Sequence, residues 1–348
     1  MRLLITGSSG LIGSEAVRYY GTKGHEVIGI DNNLRKFFFG SKGDTTWNLE
    51  NLKKLNINFH HLDIDIRNRE AITEVYKKYR PDVTIHCAAQ PSHDLAASIP
   101  FEDFDTNAVG TLNLLEASRQ YSFESPFIYM STNKVYGDAP NELDLIEMPT
   151  RWEYADKRFY DGIDETMRID QVKHSLFGAS KASADIITQE YGRYFNMPTV
   201  SFRGGCLTGP SHSGVELHGF LAYLIKVAVT GDKYTIFGYK GKQVRDQIHS
   251  HDVIRAFDCF ISNPRAGEVY NIGGGRENSA SVLECIELIR ELTGKKVNYS
   301  VKEENRIGDH ICYISDLKKL KSHYPGWDIS ISLKDIVNQI FASNMNQN

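Results

Sequence analysis

No stretch of this 348-residue chain approaches the roughly 18 consecutive apolar residues of a membrane-spanning helix, so a helical membrane protein is not expected. Nor does a charged, then apolar, then small-residue leader follow Met1, which favours a cytoplasmic protein over a secreted one. The five cysteines (Cys87, Cys206, Cys259, Cys285 and Cys312) are scattered and contain no CxxC pair. That distribution argues against a disulfide framework and reads as reduced thiols, mostly core fillers. His60–His61 and His249–His251 are the nearest approach to metal-ligand spacing, and such short-range pairs on strands do not make a zinc site, so no metal is expected. A net charge of -4 gives no electrostatic reason to expect nucleic acid or an anionic membrane as partner. Internal repeats, low-complexity segments and Gly/Ser/Pro-rich linkers are also missing.

What is present is an alternation of short apolar runs with amphipathic stretches. Strands are predicted at Met1–Thr6, Glu26–Asp31, Asn58–Ile64, Val83–Ala88, Pro126–Ser131 and Thr199–Arg203. Helices are predicted at Gly10–Thr22, Arg69–Tyr79, about 106–120 and from Lys181 to about Tyr194. The strands are continuous apolar runs, as a parallel sheet buried on both faces requires. The fold class is therefore α/β, a Rossmann-type doubly wound parallel sheet with a smaller C-terminal substrate-binding lobe. The expected division is 1–203 for the dinucleotide domain, with a returning segment near 242–275, and 204–348 for the lobe. Two long connections interrupt the pattern. One, 32–55, carries Phe37–Phe39, which should pack on the substrate lobe or a partner subunit; the other, 138–175, carries Trp152, Tyr154, Phe159 and Tyr160, and its length suggests function.

The sequence Thr6-Gly7-Ser8-Ser9-Gly10-Leu11-Ile12-Gly13 lies between the first strand and first helix. Gly7 can turn tightly, Gly10 lets backbone approach a pyrophosphate, and Gly13 permits close helix–sheet packing. The N–H groups that open the helix, at Leu11 and Ile12, face the anion. Asp31 ends the second strand, where a carboxylate accepts hydrogen bonds from both ribose hydroxyls of an adenosine; it would repel a 2′-phosphate. NAD is thus favoured over NADP, although Arg35 and Lys36 stand close by.

Together with this loop, Asp65-Ile66-Arg67, His86-Cys87-Ala88-Ala89-Gln90, Asn107-Ala108-Val109-Gly110-Thr111 and Ser131-Thr132-Asn133-Lys134-Val135-Tyr136-Gly137 resemble the extended short-chain dehydrogenase/reductase family. The likeness continues through Gln243-Val244-Arg245-Asp246 and Asn271-Ile272-Gly273-Gly274, and so runs nearly end to end. Within that family of NAD-dependent nucleotide-sugar epimerases and dehydratases, the Thr132–Gly137 run is most similar to the CDP-sugar 2-epimerases. The resemblance implies that Asp65 and Ile66 flank the adenine, and that Ala88, Ala89 and Gln90 line the cofactor. Asn32 and Asn107 join them as cofactor-binding positions. It assigns Thr132 to the reacting sugar oxygen and Lys181 to the nicotinamide ribose, where a lysine also lowers the pKa of a neighbouring tyrosine.

That tyrosine is missing. The family's Tyr-x-x-x-Lys places it four residues before Lys181, where this chain has Phe177. Phenylalanine preserves the ring but cannot exchange a proton. Three readings stay open: a deliberate substitution that traps a ligand, a different base (His174, Tyr160 and Lys134 are near in sequence), or a protein that binds without turnover. Asn133 and Lys134 replace the acidic residues that family dehydratases use to expel water, so 4,6-dehydration is disfavoured and epimerisation, which needs no such acid, is favoured.

For the substrate, the resemblance implies His93, Thr132, Asn133, Cys206, Arg245, Arg306 and Asp309. Arginine matches a diphosphate bidentately, and Asp309 suits a ribose hydroxyl. Cys206 occupies a position where the family commonly has asparagine and is read as pocket lining. The run His212–Gly219 is a candidate binding loop. The expected function is NAD-dependent epimerisation of a nucleotide sugar by transient hydride abstraction and return; the alternatives are a keto-sugar reductase or dehydrogenase and a silent binding protein. Family members commonly form homodimers through helices near 106–120 and 180–194.

Overall fold

The computed structural model describes residues 1–212, 214, 219–305 and 309–345. The chain divides into two compact units, one of Met1–Val135, Leu176–Arg203 and Val253–Tyr270, the other of Tyr136–Ser175, Gly204–Asp252 and Asn271–Asn348. Residues 136–175, placed in the dinucleotide domain on sequence grounds, thus belong to the second unit. Of the returning segment, 253–270 belongs to the first.

The first unit is built on a seven-stranded sheet. Its first five strands in the chain are β1 (Arg2–Thr6), β2 (Glu26–Ile30), β3 (Phe59–Leu62), β4 (Val83–His86) and β5 (Phe127–Thr132). Across the sheet the order is Glu268–Ile272, Thr199–Gly204, β5, β4, β1, β2, β3. The pairs from β3 through β5 are parallel. Leu4, Ile28 and Phe127 on the strands and Ile72, Leu114 and Ala184 on the covering helices form one buried cluster. β1, β2, β4 and β5 are buried over nearly their whole length because both faces of the central sheet are covered, while β3 at the edge is only partly buried. The register sets Thr6 beside both Ile30 and His86, and His86 beside Tyr129. The carboxyl ends of β1, β2 and β4 are therefore level, and β1 and β4 part to opposite sides of the point where strand order reverses, the place where open α/β sheets bind ligands.

Two stretches gain detail in the structure. The long connection 32–55 folds into helices Leu34–Phe39 and Thr46–Lys53 around a tight turn. Of the phenylalanine run, Phe38 is buried but Phe37 is 68% exposed, because the helix turns successive side chains to different faces. The helix expected near 106–120 opens with a wide, π-type turn at Asp105–Val109 before the regular stretch Gly110–Tyr121.

The second unit has a three-stranded sheet of Ser279–Ser281, Val244–His249 and Cys206–Thr208, and a parallel pair of Lys233–Phe237 with Asn298–Lys302. Helices Phe220–Thr230, Val282–Thr293 and Leu333–Met345 bury Leu224, Ile289 and Ile336 in a second core. Ser281 and Glu284 form a reciprocal capping box at the start of Val282–Thr293, and Gly294 ends it in the left-handed conformation. The 138–175 excursion contributes the antiparallel hairpin Leu145–Glu147 and Trp152–Tyr154. Among the described residues, no helix is long and apolar enough to cross a membrane, and no group of three His, Cys, Asp or Glu could hold a metal.

Candidate active site

The glycine loop leaves β1 and meets the end of β4. Gly7 has a φ of +67°, and a Cβ there would stand 2.8 Å from the backbone nitrogen of Ala88. A Cβ on Gly13 would lie 2.1 Å from the Gly7 carbonyl oxygen, so loop and helix touch through bare backbone. Gly10 precedes the helix Leu11–Thr22 and, having no side chain, leaves the helix N-terminus uncapped. Its first N–H groups, those of Leu11 and Ile12 included, have no intrahelical partner and offer an anion site. These features fit the pyrophosphate of a dinucleotide.

Asp31 follows β2 and folds over the loop. Its carboxylate accepts from the Ser9 N–H at 2.9 Å and from the Asn33 N–H at 2.8 Å. Burial nevertheless raises its pKa, against the lowering effect of those N–H donors. Asn48, on the helix unforeseen from sequence, donates to the Ser9 carbonyl at 2.9 Å and braces the loop from outside. The Asn32 side-chain oxygen accepts from the Leu34 N–H at 3.4 Å, so it caps the turn beyond Asp31. Asp65 is gripped by Arg67 through Nε and Nη2, and Ile66 beside it is buried.

The segment after β4 is held by a network that sequence reading missed. The Gln90 side chain donates to the Asp103 carboxylate at 2.7 Å and to the Ser92 carbonyl at 2.8 Å. Asn107 accepts from the Gln90 N–H at 3.0 Å and donates towards Asp103 and Ser180. Ser180 donates to Asp103 at 2.6 Å. The side chains of Gln90 and Asn107 are thus engaged in fixing the segment after β4, where Asn107 also holds the Gln90 carbonyl and Thr6 accepts from the Ala88 N–H. His93 starts the next short helix, with Nδ1 3.2 Å from Asp94.

His86 ties the same region together from below. Thr111 donates its hydroxyl hydrogen to the Asn107 carbonyl, so it accepts from His86 Nε2 at 2.9 Å. His86 Nδ1 then accepts from the Thr6 hydroxyl at 2.7 Å. Burial, with Lys181 nearby, pushes the imidazole pKa down to about 3 and keeps the ring neutral.

Thr132 ends β5, and its hydroxyl oxygen accepts from the Lys134 N–H at 3.2 Å and lies 3.5 Å from the Asn133 side-chain oxygen. Phe177 and Lys181 share one face of the helix Leu176–Phe195, and both are buried. Lys181 Nζ donates to the Met130 carbonyl at 2.9 Å and sits 4.4 Å from the centre of the Tyr129 ring. Burial lowers its pKa to about 8, against the opposing pull of Asp185, Cys87 and Asp103. One turn further along, Asp185 accepts from Arg203 Nη2 at 2.8 Å, Ser131 at 2.6 Å and Gln189 at 2.6 Å.

In the second unit, Arg245 is buried on the central strand. It donates to its neighbour's carbonyl at Val244 and to Asp309 at 2.5 Å. Burial favours its neutral form, but the Asp309 carboxylate more than offsets this and raises the pKa. Two residues assigned separate ligand roles on sequence grounds are therefore each other's partner. Cys206 begins the adjacent strand, opposite Gln247. Arg306 lies outside the described residues, as does most of the His212–Gly219 loop. His174 Nε2 is bonded to the Ile169 carbonyl at 2.8 Å, and its buried Nδ1 faces Gly137, 3.0 Å from where a Cβ would stand. Tyr160 is 58% exposed with Arg276 stacked over its ring. Tyr136 donates to Asn271, which also donates to the Ile163 carbonyl, a buried link with no signal in the sequence beyond the motifs that contain it.

A Gly-loop dinucleotide cradle, with a carboxylate after β2 and a buried lysine bonded to the Met130 carbonyl of β5, defines a dinucleotide-dependent enzyme scaffold. Residues 3–273 match the model of the NAD dependent epimerase/dehydratase family, and the chain belongs to that family. It is 35% identical to the CDP-paratose 2-epimerase of Salmonella typhi over 98% of each chain. It is 29% identical to the dTDP-glucose 4,6-dehydratase of Salmonella typhimurium, over 91% of this chain and 82% of that one. Among solved structures, the UDP-glucose 4-epimerase of Thermotoga maritima with UDP-glucose superposes with a TM-score of 0.78 at 27% identity, covering 100% of this chain and 99% of the other. The Thermus thermophilus UDP-glucose 4-epimerase complex with NAD shares the fold, with a TM-score of 0.80 at 24% identity and full coverage of both chains.

Proposed function

We propose that this protein is an NAD-dependent nucleotide-sugar epimerase of the CDP-sugar 2-epimerase type. The end-to-end similarity to a CDP-paratose 2-epimerase carries the reading. The amide and ammonium of Asn133 and Lys134, which follow Thr132 where a dehydratase needs acids, support epimerisation over dehydration. NAD, when bound, supplies the hydride acceptor for oxidation of the sugar and the donor for its return.

The remaining roles fall to the chain. Gly7, Gly10 and the N–H groups of Leu11 and Ile12 hold the pyrophosphate, with Gly13 keeping the helix close. Asp31 and Asn32 take the adenosine ribose, Asp65 and Ile66 the adenine, and the Ala88–Gln90 backbone, braced by Asn107, the nicotinamide side. Thr132 orients the reacting sugar oxygen, and Lys181 holds the nicotinamide ribose. The first unit carries the cofactor, and the second mainly the nucleotide sugar. Arg245 and Arg306 serve the diphosphate, Asp309 a ribose hydroxyl, and His93, Asn133 and Cys206 line the pocket. Since Asp309 already occupies Arg245, an incoming diphosphate must outcompete a carboxylate, as a doubly charged group can.

We further assign the protein to the cytoplasm, a reducing compartment that suits five cysteines held in no disulfide. A homodimer is proposed through the helices Gly110–Tyr121 and Leu176–Phe195; Ile186 and Tyr194 on the latter are exposed in the single chain, which supports it.

The test is incubation of the purified protein with CDP-, UDP- and GDP-linked hexoses, CDP-paratose included, read by NMR. Inversion at one carbon without net NADH formation is expected, with NAD carried through purification. Stoichiometric consumption of added NADH would instead establish a reductase. The one observation favouring a silent binding protein is Phe177, and retention of NAD with every sugar unchanged would establish that reading.

A further inference from the structure

The position that carries the family's phenol holds a buried benzyl group, so an epimerase built on this site needs another place for the sugar hydroxyl's proton. We propose that Lys181 itself accepts and returns that proton through Nζ, in place of a phenol at position 177. The inference rests on the epimerase reading above.

The geometry around Nζ is unusual for a lysine. The amine is buried beneath the end of β5, where the Met130 carbonyl is its hydrogen-bond acceptor. Among the described residues, no carboxylate lies within ion-pair distance of it. The nearest acid on its own helix, Asp185, is bonded to Arg203, Ser131 and Gln189 and acts on the amine only from a distance. Asp103, from the helix Pro100–Phe104, is similarly occupied by Gln90, Asn107 and Ser180. From β4 and the residue after it, Lys181 faces His86, held neutral between two threonines, and the Cys87 thiol, whose pKa burial pushes up to about 12. A cation with no free counter-ion in a desolvated place loses its charge readily, and the amine then has a lone pair to offer.

The other groups near the strand end are poorer bases. Both His86 nitrogens are occupied, and the Cys87 thiol stays protonated at neutral pH. Tyr129 is wholly buried, and burial drives its phenol pKa well above the ordinary value. Beside these groups of the first unit, Lys181 has its pKa lowered by burial to about 8.

The step balances. The sugar O–H bond breaks and its proton converts the neutral amine to ammonium, while the carbonyl forms and the C–H electron pair leaves to the oxidised nicotinamide dinucleotide. The return reverses both events on the opposite face of the carbon, so the amine and the cofactor are restored in every cycle.

The experiment uses full-length holoenzyme and the nucleotide sugar that the panel shows to be inverted, CDP-paratose being the first choice. Lysine side chains carrying a 13C label are titrated by NMR, with Lys181 assigned by substitution, and kcat is followed across the same pH range. A lysine titrating near the midpoint of kcat is expected, with kcat rising about tenfold per pH unit below it. Lys181→Arg, which keeps the charge but cannot deprotonate, should lose at least about 100-fold in kcat at saturating NAD. Adding Phe177→Tyr to that variant should restore activity. Full kcat in Lys181→Arg, or a Lys181 titration more than about one unit from the kcat midpoint, overturns the proposal while leaving the epimerase reading intact. Absence of inversion by the unaltered protein across the whole panel overturns both.

Discussion

Arg203 and Asp185 meet at 2.8 Å with both side chains out of solvent, one helical turn beyond Lys181. Each partner makes the other's burial tolerable, and Ser131 and Gln189 satisfy the remaining carboxylate lone pairs. Removing one member leaves an uncompensated charge inside the sheet. Asp185→Asn should therefore cost about 3–5 kcal/mol, read as a lower urea midpoint with little change in slope. Replacing both residues by apolar ones of similar volume should cost much less. If the single and double variants lose equal stability, the charge argument is wrong.

Asp31 binds two loop N–H groups that would otherwise be left without an acceptor. Asp31→Ala removes those bonds together with any bonds to ribose hydroxyls. NAD affinity should fall by about 10–100-fold, measurable by calorimetry on protein stripped of cofactor. An unchanged affinity would remove Asp31 from the cofactor site.

The contact of Gly13 with the Gly7 carbonyl makes Gly13→Ala a steric test with no electrostatic component. Backbone must move to accept the methyl, at a cost of about 1–3 kcal/mol, and NAD should be lost with it. Thermal melting together with the absorbance of released cofactor would report both effects. Gly24→Ala is the contrasting control: a Cβ there meets nothing within 4 Å, although its φ of +82° strains any side chain, so NAD content should stay normal.

How much of this could be read in advance differs by element. Short apolar runs such as Leu3–Ile5 and Val27–Ile30, alternating with amphipathic stretches, announce a doubly buried parallel sheet. The glycine loop is legible because its spacing encodes close backbone contacts that only glycine allows. Asp103 and Asp185 were not legible. An acid in or near a helix is ordinarily solvated, and their partners lie far off in the chain: Ser180 is 77 residues from Asp103, and Ser131 is 54 from Asp185. The membership of 136–175 in the second unit is likewise tertiary, fixed by contacts such as Tyr136 with Asn271 and Arg276 with Glu153. The two short helices within 32–55 escaped because neither is long enough to show a period.

His86 supplies a pH signature. Its folded pKa of about 3 lies below the unfolded value near 6.5. The unfolded chain therefore binds a proton in that window and the folded chain does not, so this contribution is full above about pH 6.5 and is lost as pH falls towards 3. The difference in unfolding free energy between the protein and His86→Gln should be constant above pH 7. It should shrink by about 1.4 kcal/mol for each pH unit within the window. A difference independent of pH from 4 to 7 would show that the ring is not held neutral.

The backbone contact at Gly13 also bears on how this protein can be altered. Where two main chains touch, no alternative residue is available, so the part of the chain that grips what all nicotinamide dinucleotides share is closed to redesign. Asp31 to Lys36 is different ground: a carboxylate, two amides, a leucine and two cations present side chains, although Asn33, at a φ of +53°, tolerates fewer replacements than the others. Any attempt to move the protein to a phosphorylated dinucleotide therefore has the side chains around Asn33 to work with, and the loop beside them must be left as it is.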